Sequence, residues 1–124
     1  MVMWSLDCPP CIKELNSLGM LYKQYPDLNM VLVSTDSPER IDEINNLLNR
    51  FDLQNIDNWV FSTDSIQKLR YTIDPQWYGE LPRSYFHDKQ PTERSAVTGI
   101  LDTQHIVSWL KKNTEVTPDR LTKY

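Results

Sequence analysis

The sequence predicts a single α/β domain built on a mixed β-sheet. Two patterns carry that reading. In the first half, strand-like and helix-like segments alternate, as parallel strands joined by helical crossovers require. Near the C-terminus, two strand-like segments flank a polar turn and read as an antiparallel hairpin. The 124 residues suffice for one domain and are too few for two.

Val2, Met3 and Trp4 form a short apolar strand at the start. Leu15, Leu18, Tyr22 and Tyr25 then recur at helical spacing, and Pro26 closes that helix. Met30 to Val33 reads as a buried parallel strand. Ser37 caps the next helix with Pro38 in its first turn, and Ile41, Ile44, Leu48 and Phe51 mark its inner face. Asn55 to Asn58 is a polar connection, and Trp59 to Phe61 is the third strand. A short helix capped by Asp64 or Ser65 carries Ile66 and Leu69 and is broken at Asp74-Pro75. Arg83 to Asp88 and Ser95 to Leu101 form the hairpin around a turn at Lys89 to Arg94. Asp102 caps a last helix with Ile106, Trp109 and Leu110 inward. The domain is expected to span residues 1–112, with a loose tail at 113–124.

Composition narrows the function classes. Apolar residues make up 40% and charged residues 24%, as in ordinary globular domains. A net charge of −4 and a pI near 5.1 argue against a nucleic-acid or anionic-membrane binder. No apolar run approaches the roughly 20 residues of a membrane span.

Both cysteines of the chain, Cys8 and Cys11, lie together as Cys8-Pro9-Pro10-Cys11, where the first strand hands over to the first helix. A cysteine at a helix N-terminus meets unpaired backbone N–H groups and the positive end of the helix dipole, which favour thiolate. Cys8 is then the attacking sulfur. Cys11, three residues on, shares its helical face and can close a disulfide with it. Pro9 and Pro10 suit a helix entry. The pair alone has three readings: an exchanging dithiol, half of a zinc site, or a structural bridge. Zinc would need further ligands, and only His87 and His105 are on offer, without finger-like spacing. A bridge closing so small a loop constrains the unfolded chain little.

The pattern Trp4-x-x-x-Cys8-Pro9-Pro10-Cys11-x-x-Glu14-Leu15 resembles the thioredoxin-fold thiol-disulfide oxidoreductases, in particular their extracytoplasmic TlpA/ResA-like branch. Gly79 to Asp88, with Leu81-Pro82 inside it, is similar to the segment that carries the fold's cis-proline. The resemblance covers roughly residues 1 to 112. It implies a thioredoxin-like fold, a central mixed sheet flanked by helices, with the N-terminal strand truncated. A full strand is usual before this motif, so the chain is expected to be trimmed from a longer exported protein.

The resemblance also implies roles. Cys8 exchanges with protein thiol or disulfide clients, Cys11 resolves the mixed disulfide, and Glu14 moves protons. Leu81, Pro82, Trp4 and Trp77 belong to the client-docking side, where Trp77 and Tyr78 would form an aromatic wall unless they pack in the core. No cofactor is needed, because the disulfide is the redox centre. A reductase drawing on a membrane electron donor, outside the cytoplasm and as a monomer, is the setting implied.

Two departures stand out. Asp7 replaces the tryptophan usual before the first cysteine, and an inward carboxylate there should oppose thiolate at Cys8. Arg83 is a candidate to offset it, or else a surface strand residue. Asn16 replaces a proline often found in the first helix. Two other function classes remain: a metal (copper or zinc) binding or delivery module, with Cys8, Cys11 and His87 as the copper ligands, to which the short Cys-Pro-Pro-Cys spacing is unfavourable, and a redox-dead interaction domain.

Overall fold

The computed structural model describes residues 1–62, 65–87 and 94–114. Five strands form one sheet: β1 (Val2–Trp4), β2 (Val31–Ser34), β3 (Asp57–Val60), β4 (Arg83–His87) and β5 (Arg94–Thr98). Four helices accompany them: α1 (Pro9–Gln24), α2 (Ile41–Arg50), α3 (Ile66–Ile73) and α4 (Thr103–Thr114). The strand order is β3-β2-β1-β4-β5. β1 runs parallel to β2, and β2 parallel to β3, while β4 is antiparallel to both β1 and β5.

This order fixes where the helices go. The crossovers β1-α1-β2 and β2-α2-β3 step in the same direction across the sheet, so right-handed connections put both helices on one face. The connection from β3 back to β4 steps the other way and carries α3 to the opposite face. Side-chain alternation agrees. Val2, Trp4, Leu32 and Phe86 pack with Leu15 and Leu18 of α1, Leu48 of α2 and Ile106 of α4. Met3, Val33 and Tyr85 pack on the other side with Phe61, Trp77 and partly buried Leu69 and Ile73. β1 has only three residues, yet all are buried, and Met1 extends its pairing by exchanging two hydrogen bonds with Tyr85.

Several expectations shift. β3 starts at Asp57 rather than Trp59, because its register against Val31–Ser34 begins there. It is an edge strand, and Trp59 points out at 66% exposure. Tyr25 follows α1 as its exposed C-cap, and Ile41 and Ile66, at the first turns of their helices, are exposed as well. Leu47, not Ile41, completes the buried face of α2. α4 continues to Thr114, two residues past the expected boundary. The cap at Asp64, the turn after His87 up to residue 93 and the tail from residue 115 lie outside the described residues.

Candidate active site

Parallel strands converge at their C-terminal ends, and three loops meet there. The loop after Trp4 leads to Cys8, and the loop after Ser34 carries Asp36. β4 is antiparallel, so its N-terminal end lies at the same edge. Pairing of Met3 with Arg83 places Pro82 level with Trp4.

Cys8 and Cys11 are joined as a disulfide, with Cα atoms 5.2 Å apart. Cys8 is the N-cap of α1, and Pro9 and Pro10 fill the first turn, where a missing N–H costs nothing. The Cys11 N–H points at the Cys8 sulfur at 3.2 Å. That donor, with the helix dipole, stabilises negative charge on Cys8 once the bridge opens. Cys11 is fully buried and Cys8 only half-buried. An incoming thiol or disulfide can therefore reach Cys8 and not Cys11.

Glu14 lies one turn further along α1 and is 1% exposed. One carboxylate oxygen accepts the Leu101 N–H at 3.1 Å. The other, Oε1, is buried without a hydrogen-bond partner. Burial pushes its pKa up to about 7, against the smaller opposing effect of the Leu101 bond. A buried carboxyl poised near neutrality, one turn from the buried Cys11, suits proton transfer once the bridge opens.

The Leu81-Pro82 bond is cis. Pro82 is almost fully buried, and its carbonyl accepts the Gly99 N–H at 2.9 Å. Leu81 is half-buried, and among the described residues its backbone N–H and C=O have no partner. An unpaired backbone at a sheet end can accept an extended peptide as an added strand.

The residue after the proline anchors this loop. Arg83 donates to Asp74 at 2.9 Å, and the Tyr85 hydroxyl donates to the same carboxylate oxygen at 2.9 Å. The side chains of Arg83 and Asp74 are 14% and 9% exposed. Arg83 chiefly, with the Gln76 N–H and Tyr85, holds the Asp74 carboxyl below its usual range. A depressed carboxylate stabilises the fold at neutral pH and loses that contribution as pH falls through its folded value. Asp74→Asn is therefore expected to lower the thermal midpoint by several degrees at pH 7. The two proteins should converge as pH falls below the ordinary aspartate value of 3.8. Thermal melts across pH check this.

Two of the expected docking residues do not present themselves to a client. Trp4 is 1% exposed and Trp77 3%. Trp4 points into the core between the sheet and α1, and Trp77 donates its indole N–H to the Glu80 backbone carbonyl at 2.8 Å, which lets the ring bury. Tyr78 is the outward aromatic, at 81% exposure, so the wall expected of the pair comes down to Tyr78. Arg83 does not offset Asp7, because it is spent on Asp74. Arg40 pairs with Asp7 instead, at 2.7 Å. His87, the third ligand of the copper alternative, ends β4 at the opposite end of the sheet from Cys8. Among the described residues, no three His, Cys, Asp or Glu side chains are grouped to hold a metal ion.

Asp36, which sequence reasoning does not single out, holds the cysteine loop. Its carboxylate, 4% exposed, accepts from Ser5 Oγ, Leu6 N and Ser34 Oγ at 2.9, 2.9 and 2.6 Å. A Ser-x-Asp at a strand end is the local signal. Its long-range partners depend on the register of β1 against β2.

The architecture has close counterparts. MTB DsbF, solved in mixed oxidised and reduced forms, superposes with a TM-score of 0.69 over 91% of this chain and 78% of its own, at 15% identity. The fold is thioredoxin-like. A secreted Mycobacterium tuberculosis disulfide oxidoreductase homologous to E. coli DsbE matches at a TM-score of 0.64 and 18% identity, over 90% of this chain and 79% of its own. No protein-family model matches the sequence, and no curated protein is a significant match. On this thioredoxin-like domain the disulfide sits at the N-terminus of α1, with the cis-proline loop at the same sheet end. No helix among the described residues is long and apolar enough to cross a membrane.

Proposed function

We propose that this protein is a thiol-disulfide oxidoreductase that reduces disulfides in protein clients. The observation that carries the proposal is the asymmetry of the pair: a disulfide at a helix N-terminus with Cys8 reachable and Cys11 sealed. In the reduced protein, the Cys8 thiolate attacks one sulfur of a client disulfide. A mixed disulfide forms and the second client sulfur leaves as thiolate. Cys11 then gives its proton to Glu14 and attacks Cys8. The Cys8–Cys11 disulfide forms, the first client sulfur leaves, and two electrons have passed to the client. Leu81 pairs with the client backbone while Tyr78 offers a contact outside it.

The direction of electron flow rests on charge. Glu14 places a buried carboxyl one turn beyond Cys11, while the charge of Asp7 is paired with Arg40. Negative charge disfavours thiolate, and a dithiol whose thiolates are poorly stabilised is a stronger reductant. The likeness to a secreted oxidoreductase supports an extracytoplasmic setting. We further propose a membrane protein as electron donor and the domain as a monomer.

Titration of the pair against a thiol buffer, read by alkylation and mass, tests the proposal. The expected result is one two-electron couple at or below about −270 mV, thioredoxin's potential. A value near about −120 mV, as in strong oxidants, would reverse the direction. Failure to titrate as one couple would end the exchange reading.

A further inference from the structure

Arg40 stands between three carboxylates. Its Nε and Nη2 take the two oxygens of Glu43 at 3.3 and 2.9 Å, one turn along the same stretch. That two-pronged grip fixes the guanidinium plane and turns the third nitrogen, Nη1, toward the cysteine loop. Nη1 lies 2.7 Å from Asp7 Oδ2 and 3.5 Å from Asp36 Oδ1. One nitrogen thus touches both the buried carboxylate that anchors Ser5 and Leu6 and the exposed carboxylate next to Cys8.

The other charged groups on the elements around Cys8 offer Asp7 no comparable partner. Glu14 of α1 is buried and bonded to Leu101, Arg83 is held by Asp74, and Glu80 carries the wrong sign. Lys13 lines the same shallow hollow as Leu6, Asp7, Pro9 and Ile12. Arg40 is the cation in hydrogen-bonding contact with Asp7 among the described residues.

We propose that Arg40 is a positioning residue for disulfide exchange, acting through Asp7: it holds that carboxylate toward α2 and screens Cys8 from it. The inference builds on the exchange reading above, with Cys8 as the attacking sulfur. Without Arg40, the Asp7 charge is unpaired beside the site of thiolate formation, and the thiolate becomes harder to form. Opposing charges this exposed act weakly, so the effect is modest.

The test is a cycle of Arg40→Gln, Asp7→Asn and the double variant in the reduced full chain. The readout is the pH dependence of Cys8 alkylation, with thermal midpoints as a check on folding. Arg40→Gln is expected to raise the alkylation midpoint by about half a pH unit, a roughly threefold loss of thiolate at neutral pH. In the Asp7→Asn background the same substitution should move it by less than half as much. Arg40→Lys, which keeps a cation within reach of Asp7, should restore the midpoint. An unchanged midpoint in Arg40→Gln, an undiminished shift in the Asp7→Asn background, or failure of the lysine variant to restore it would each overturn the proposal. Alkylation needs only a reduced Cys8, so this result stands apart from the wild-type redox titration, which tests the exchange reading itself.

Discussion

Cys11→Ser is expected to stop turnover while leaving the first chemical step intact. Cys8 still attacks a client disulfide, and the mixed disulfide then has no internal partner. It should accumulate as a covalent adduct of protein and client, visible by mass and lost on adding reductant. The loss is large because an intramolecular attack is replaced by one from solution. Effective molarities of well-placed groups are many orders above millimolar thiol, so turnover should fall on the order of 1000-fold or more. Cys8→Ser should form no adduct, because Cys11 is fully buried. Adducts formed equally by both variants, or wild-type turnover in Cys11→Ser, would show that the burial difference does not set the order of events.

Glu14→Gln carries the second large effect, in rate and in stability. The wild-type rate of mixed-disulfide resolution should rise through an inflection near the Glu14 pKa of about 7 as the carboxylate becomes available as a base. The glutamine variant cannot accept that proton. Its resolution rate should fall by about 100-fold and lose the inflection. Stability moves the other way. A carboxyl whose pKa is raised from 4.5 in a flexible chain to about 7 in the fold binds more protons folded than unfolded across that window. Stability of the oxidised wild type should therefore decline as pH rises from 4.5 to about 7, by about 3 kcal/mol, and level off above. Glu14→Gln should lack that decline. Denaturant midpoints between pH 4 and 8, with stopped-flow resolution rates, check both. A decline of equal size in the variant would place the titration elsewhere.

Much of this site was legible in the sequence because its signals are local. Cys8 and Cys11 share three residues of spacing with a helix entry, and Glu14 falls on the same face one turn on. The pattern of short apolar strands and helices gave the right element order, and Leu81-Pro82 stood at the hairpin start. What escaped was direction and distance. Trp4, Trp59, Trp77 and Tyr78 are all bulky aromatics, and only the sheet's order decides which is core and which is surface. β3 proved to be an edge, so Trp59 turned outward. Asp74 reads only as a helix breaker and Asp36 is not singled out, because their partners Arg83 and Ser5 are 9 and 31 residues away. Arg40 was one more surface cation until α2 docked beside the cysteine loop. Contacts of this kind are set by register between strands, which spacing along the chain does not encode.

The burial of Cys11 also bears on chemical durability. A peroxide meets the half-buried Cys8 first and converts its thiolate to a sulfenic acid. Left exposed, that species proceeds to sulfinic and sulfonic acids, the latter beyond repair. Here a second thiol waits out of reach of the oxidant and within reach of the damaged sulfur. Its attack expels water and restores the same Cys8–Cys11 bridge that a client would have left. Met20, 58% exposed on the outer face of α1, has no such partner. Under oxidative stress the modification that persists should be a sulfoxide on Met20, while the dithiol cycles back to its ordinary resting state.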